Sequence, residues 1–489
     1  MEGLLLAEYG DDHSSDIALS TDFYEITMAA AYYHFNSNNN NRNQNNKTKK
    51  NAIFEMFVRK LPLNRSHIVV AGLEQVVHFL MNLKFNDAHI SYLKCLEIFK
   101  QVDEDFFEYL RGLRFTGTVW AVPEGTVLFP NEPILRIEAP IIEAQIVETY
   151  VLSTINFQSL IATKASRIVT AAEGKSSIVE FGSRRAHGPQ AGLLAARAAY
   201  IGGCAGTSNT LAGYKLGIPT FGTMAHSYIM SFEKEEEAFE QFSHLFPSGF
   251  LLVDTYDSIK AIKKIIKLGI DVKGVRLDSG DLLSLSVKSR RLLDNAGYTD
   301  TKIMVSGNLN EYLIQDLVSK NAPIDSFGVG TELSTSRDDP AMNGVYKLVA
   351  LRKNKKRHGD DNNKSKLQTS DDIMLLYKLK TSPGKKTYPG PKQIRRIIKN
   401  KRISRDIIVL EDEKETPSSL GVPLLQKILD NGSLTYEMPS IEKIQQYCFE
   451  QIKLLPDQFK DLDYIPKEYP VIYSDKLKNI TRESLSHLR

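Results

Sequence analysis

A chain of 489 residues is too long for one small core and is read as two or three domains. Its 62 Lys and Arg nearly balance 59 Asp and Glu, and a formal net charge of +3 sets up no global field for nucleic acid. Cys95, Cys204 and Cys448 are odd in number and far apart, which excludes a disulfide framework and zinc spacing and suits a reducing compartment.

No apolar stretch is long enough to span a bilayer, and the opening MEGLLLAEYGDD lacks the basic start of a signal peptide. The chain reads as soluble and intracellular, cytoplasmic with the nucleus also open to it, and neither membrane nor nucleic acid is expected as a partner. The basic clusters at Lys47–Lys50, Lys353–Arg357 and Lys399–Arg405 read as solvated loops.

In chain order, Ser20-Thr21-Asp22 is an N-cap before the helical run FYEITMAAAYYHF, with Glu25 in its first turn. Tyr24 stands at the helix start, where plain packing is the simplest role. Asn36 to Lys50 is an Asn-rich insert expected to be a mobile loop, because it has little apolar surface to bury. A strand is predicted over Ala52–Val58, and helices over Gly72–Leu83, Asp87–Phe99 and Glu104–Gly112. Pro and Gly punctuate Phe115–Ala139 into a meander of short strands that suits a sandwich. Ala144–Ile161 is helical and apolar, a link from this β-rich part to the barrel.

From Ser177 the pattern repeats strand, polar turn, helix. The predicted strands are Ile178–Phe181, Ile218–Phe221, Phe250–Val253, Gly274–Leu277, Ile303–Ser306 and Ser326–Val329. Buried β-branched strands alternating with helices predict a parallel sheet, closed or nearly so, as in an α/β barrel. Beyond Tyr346 come a polar insert at Lys353–Asp372, a loop into a strand over Lys380–Arg396, and a tail that begins helical at Ile441.

Function in such a barrel lives where strands end. The ends carry Arg184 and Arg185, then Thr223, His226 and Ser227, then Asp254 and Thr255. They continue with Arg276 and Asp278 in VRLDSGD, with Ser306-Gly307-Asn308, and with Gly328, Gly330 and Thr331 in GVGT. Gly turns expose backbone N–H groups that hold phosphate. Carboxylates suit ribose hydroxyls or magnesium, and Arg forks suit phosphate or carboxylate. Taken singly, each arginine is as readily a structural ion pair, each turn plain turn chemistry, and a lone histidine a structural one. Six compatible strand ends together point to a phosphorylated, hydroxyl-bearing substrate, with His226 placed for acid–base or nucleophilic work.

Ordered blocks over most of the chain resemble nicotinate phosphoribosyltransferase, of the type II phosphoribosyltransferases. They are STDFYEITMAAAY, FEMFVRKLP, AGLEQVVHFL, FTGTVWAVPEGTVLFPNEPILRIEAP, EFGSRRAHG, YIGGCAGTSNTLAG, GTMAHS, VRLDSGD, VSGNLNE, FGVGTELST, KKTYPGPKQIRR and LPDQFKDL. The two polar inserts do not match. The resemblance implies an irregular α/β barrel at residues 151–345. Residues 1–150 and 346–489 would together build an α/β sandwich. It implies a homodimer in which Tyr24 reaches the partner's site, reversing the packing role. It implies transfer of phosphoribosyl from its pyrophosphate to nicotinate, with ATP hydrolysis coupled through a phosphohistidine at His226.

The resemblance also implies a role for each site residue. Phe181 and Tyr24 sandwich the pyridine ring, Arg276 faces the nicotinate carboxylate, and Asp278 holds the ribose hydroxyls. Arg184 lies against phosphates, and Ser306, Gly307, Asn308, Gly328, Gly330 and Thr331 cradle the 5′-phosphate. His226 takes the γ-phosphate of ATP with Ser227 beside it. Magnesium travels with pyrophosphate or ATP and needs few direct protein ligands. Asn209 stands where the nicotinamide-using relative has an Asp, and a fixed anion there would repel a substrate carboxylate. The quinolinate-using relative is shorter and lacks the histidine block. Two other readings fit less well. An aldolase or isomerase barrel has no strand-end Lys for a Schiff base, and an inactive binding paralogue conflicts with the chemically competent site residues.

Overall fold

The computed structural model describes residues 14–39, 51–354, 373–382, 385, 387–413, 421–462 and 469–486. A seven-stranded antiparallel sheet draws its strands from distant parts of the chain. Its order is Ile373–Tyr377, Gly344–Asn354, Asn51–Val58, Pro133–Pro140, Thr118–Ala121, Gln426–Asp430 and Ser433–Leu434. The central strand Asn51–Val58 is buried from Ala52 onward, so its burial does not alternate, and the one charged residue in that run, Glu55, is paired with Lys392 at 2.6 Å. Phe54 pairs with Leu348 on one side and Ile137 on the other, and its ring stacks on Tyr346 at 4.8 Å. Helices Leu73–Asn82, Asp87–Cys95 and Glu104–Gly112 contribute to the same core, through Phe79, Ile90 and Leu110.

Six parallel strands form the second sheet, in the order Gly206–Thr207, Ser177–Glu180, Ser326–Val329, Lys302–Ser306, Gly274–Leu277 and Phe250–Leu252. Within this sheet the strand last in chain order, Ser326–Val329, pairs with the earliest, Ser177–Glu180, with Val329 opposite Glu180, as in a ring. A single parallel bridge carries the pairing on from Thr207 to Thr220. One seam, between Thr220 and Phe250, carries no ladder among the described residues. The strand expected over Ile218–Phe221 is thus reduced to one bridge. Pro219 has no N–H to give, and pairing is limited to Thr207 N–H on the Pro219 carbonyl and Phe221 N–H on the Thr207 carbonyl. Gly206–Thr207, two residues with no apolar side chain between them, is a strand that periodicity does not reveal.

The long helix Glu148–Ala171 joins the two cores. Its Val151, Ile155 and Leu160 pack with the antiparallel sheet, and its Ile161, Ala165 and Ile168 with the parallel one. A third sheet of four strands, Val422–Pro423, Lys392–Lys399, Arg402–Leu410 and Val471–Tyr473, comes wholly from the C-terminal part. The first helix runs to Asn39, so the start of the expected Asn-rich loop is helical. Residues 40–50, and 355–372 of the second insert, lie outside the described residues. No described helix is long and apolar enough to cross a membrane.

Candidate active site

The C-terminal ends of the parallel strands open into a cavity of about 780 Å³. Phe181, Arg184, His226, Arg276, Asp278, Ser306, Gly307, Asn308, Gly328, Gly330 and Thr331 all line it. Four arginines (Arg184, Arg185, Arg276 and Arg337) face two acidic side chains (Asp278 and Glu332) across its wall, so the cavity favours anions.

Arg276 lies near the end of its strand, and its guanidinium is held from three directions. Nε donates to Ser306 Oγ at 2.8 Å, Nη1 to Thr223 Oγ1 at 3.0 Å, and Nη2 to Asp278 Oδ1 at 2.6 Å. Its guanidinium carbon stands 5.6 Å from the Phe181 ring centroid, within cation–π range. Asp278 Oδ1 also accepts from the Ser306 hydroxyl. Burial pushes the Asp278 carboxyl upward, but the Ser306 bond and the charges of Arg276 and His226 outweigh it and hold the group below the ordinary range. Asp254 Oδ2 receives the Asp278 N–H at 3.0 Å and the Ser279 hydroxyl at 2.6 Å, which ties two strand ends together.

Phe181 follows its strand directly, and its N–H donates to the Val329 carbonyl at 2.8 Å. Its ring packs so closely on Gly328 that a Cβ there would collide with it. Gly307 has φ 100°, and a Cβ there would strike the Asp278 carbonyl oxygen. Both Gly turns therefore need glycine for close approach. Behind Phe181, buried Glu180 accepts from the Gly182 N–H and from Thr207 Oγ1 at 2.5 Å. Burial outweighs those two bonds and pushes its carboxyl up.

His226 opens the short helix His226–Met230, and its Nδ1 lies 3.1 Å from Thr255 Oγ1. Three expected site residues are not on the cavity wall of this chain. Tyr24 is 50% exposed on the first helix. Ser227 is exposed beside His226. Asn209 caps the helix Thr210–Leu216 through Ala212 N–H, and its Nδ2 donates at 3.0 Å to Ser183 Oγ, which does line the cavity. Two features of the site escape sequence reading. Glu180 is masked inside an apolar strand, and the Glu332–Arg337 ion pair, at 3.3 Å, begins one residue beyond the GVGT turn. Among the described residues no three His, Cys, Asp or Glu side chains are grouped to hold a metal.

Three family models match in succession: nicotinate phosphoribosyltransferase N-terminal domain over residues 19–156, quinolinate phosphoribosyl transferase C-terminal domain over 161–338, and nicotinate phosphoribosyltransferase C-terminal domain over 417–481. A nicotinate phosphoribosyltransferase of Mycobacterium tuberculosis is 42% identical over 94% of this chain and 92% of its own length. One from Bacillus subtilis is 39% identical over 96% of this chain and 95% of its own. The crystal structure of human nicotinic acid phosphoribosyltransferase superposes with a TM-score of 0.77 at 25% identity, covering 95% of this chain and 99% of that one. With relatives of that likeness spanning nearly its whole length, the chain belongs to the nicotinate phosphoribosyltransferase family.

Proposed function

We propose that this chain transfers phosphoribosyl from 5-phosphoribosyl 1-pyrophosphate to nicotinate, giving nicotinate mononucleotide and pyrophosphate, the entry of nicotinic acid into NAD synthesis. The observation that carries the reading is Arg276, held beside the Phe181 ring in a cavity that two Gly turns, at Gly307 and at Gly328–Gly330, also line. Of its five N–H groups, Nε bonds Ser306, Nη1 bonds Thr223 and, at 3.5 Å, the Met224 carbonyl, and Nη2 bonds Asp278, which leaves an Nη2 donor for a substrate carboxylate. The pyridine ring stacks on Phe181, and its nitrogen attacks ribose C1 as the C1–O bond to pyrophosphate breaks. Asp278 orients the ribose hydroxyls and its negative charge favours the cationic character that develops at C1. Backbone N–H groups of Gly307, Asn308, Gly328 and Gly330, with Ser306 and Thr331, hold the 5′-phosphate, while Arg184 neutralises the departing pyrophosphate. Magnesium carried on pyrophosphate or ATP would meet Asp278 as a cavity carboxylate and would spread the leaving group's charge.

ATP is hydrolysed in the same cycle through phosphorylation of His226, whose added negative charge orders the site for the phosphoribosyl donor. Tyr24, exposed on its own subunit, completes the ring sandwich in a partner within a homodimer. The test is turnover of the purified chain with the phosphoribosyl donor and, separately, nicotinate, nicotinamide or quinolinate, each with and without ATP. Nicotinate mononucleotide from nicotinate, faster with ATP, is the expected result; preference for either other acceptor overturns it.

A further inference from the structure

A buried ion cluster lies outside the cavity wall and touches the segments that carry both phosphate turns. Lys164, 1% exposed in the long helix, donates to Glu311 Oε2 at 2.6 Å and to Asp338 Oδ1 at 3.1 Å. Glu311 is fully buried and opens the helix that follows the Gly307–Asn310 turn. Asp338 follows the short helix Thr331–Ser334 that begins at the Gly330 turn. None of the three lines the cavity.

Charge balance alone does not call for Lys164. Glu311 already has Arg167 Nε at 3.3 Å, and Asp338 has the fork of Arg65 at 2.7 and 2.9 Å. Taking Lys164 out of water as well costs several kcal/mol, offset through its bonds to these two carboxylates. What distinguishes Lys164 is that, among the described residues, it is the cation bonded to both carboxylates. Arg65 fixes the second segment further by donating to Ser336 Oγ at 2.9 Å, at a buried residue held at φ 44°.

We propose that Lys164 is a positioning residue that sets the spacing between the Gly307–Asn308 and Gly328–Gly330 turns, and through it the affinity for the phosphoribosyl donor. This rests on the reading that those turns share the 5′-phosphate. The test uses the full chain as Lys164→Met, Lys164→Arg and Glu311→Gln, with calorimetric binding of ribose 5-phosphate beside steady-state kinetics. Lys164→Met is expected to raise the donor KM and the ribose 5-phosphate Kd roughly tenfold. The nicotinate KM stays put, and Lys164→Arg recovers most of the loss. Each carboxylate keeps an arginine in Lys164→Met, so the fold should survive. Should it not, Glu311→Gln breaks the same link from the other end and must give the same split. Unchanged donor affinity in both variants, or equal losses for donor and nicotinate, overturns the proposal. Wild-type chain that binds no ribose 5-phosphate overturns the phosphate reading itself and the proposal with it.

Discussion

Arg276 Nη2 and Asp278 Oδ1 are joined at 2.6 Å by residues two positions apart, which the alternation of an extended chain places on one side. The pair is therefore local, set by the order Arg-Leu-Asp. Leu277 points the other way and is fully buried. Ser306 from the neighbouring strand bonds to both members, so the guanidinium is fixed before any substrate arrives. That preorganisation lowers the ordering cost of binding.

Arg276→Gln should raise the nicotinate KM by roughly ten- to a hundredfold, since a charge-assisted bond is worth about 1.5–3 kcal/mol. The variant also frees Asp278 from its nearest cation, so the acid limb of the rate profile should move to higher pH. Steady-state kinetics across pH checks both. An unchanged nicotinate KM would place the carboxylate elsewhere.

Gly328→Ala should push the Phe181 ring off its seat. The Cβ has no room, so overpacking should cost about 1–3 kcal/mol of stability. The nicotinate KM should rise more than the donor KM. Thermal melting and the two KM values measure this directly.

Stability should fall as pH rises toward neutrality. Burial pushes the Glu25 carboxyl up to about 7, against its bond from Gln145 and with help from nearby Glu148. Burial does the same to Glu143, also to about 7, against its bonds from Thr116. The folded chain thus holds these protons after the unfolded chain has lost them. Their contribution is complete below the ordinary carboxylate range and is lost as pH climbs through about 7. Melting temperature should decline between about pH 5 and about pH 8, and Glu25→Gln with Glu143→Gln should flatten that slope. A slope that the two substitutions leave unchanged would contradict it.

His226→Ala should abolish ATP hydrolysis and ATP stimulation while leaving slow ATP-independent transfer, because Arg276, Asp278 and the phosphate turns remain. Label from γ-labelled ATP, mapped by peptide, should be acid-labile and sit on His226. Label on another residue, or full ATP stimulation in the variant, would refute the phosphohistidine step.

The parallel strands were legible because both faces are covered, so Gly274–Leu277 and Ser326–Val329 appear as short apolar runs ending in polar turns. Arg276 and Asp278 were legible as charged residues where such a run ends, and both line the cavity. Glu180 was hidden because its carboxylate is satisfied by Gly182 and Thr207, contacts that exist only after the turn has formed. The Lys164–Glu311 pair was hidden because its members are far apart in the chain and each sits unremarkably in a helix. The role proposed for Tyr24 comes only from the family resemblance, since an exposed aromatic at a helix start has no pattern of its own, and on its own chain it lies off the cavity wall.

The most direct measurement is the structure of the chain with nicotinate mononucleotide bound. The pyridine ring should lie on Phe181 with its carboxylate at Arg276, the ribose hydroxyls at Asp278, and the 5′-phosphate against the N–H groups of Gly307, Asn308, Gly328 and Gly330. A product whose phosphate sits away from those turns, or whose carboxylate does not reach Arg276, would contradict the proposed site.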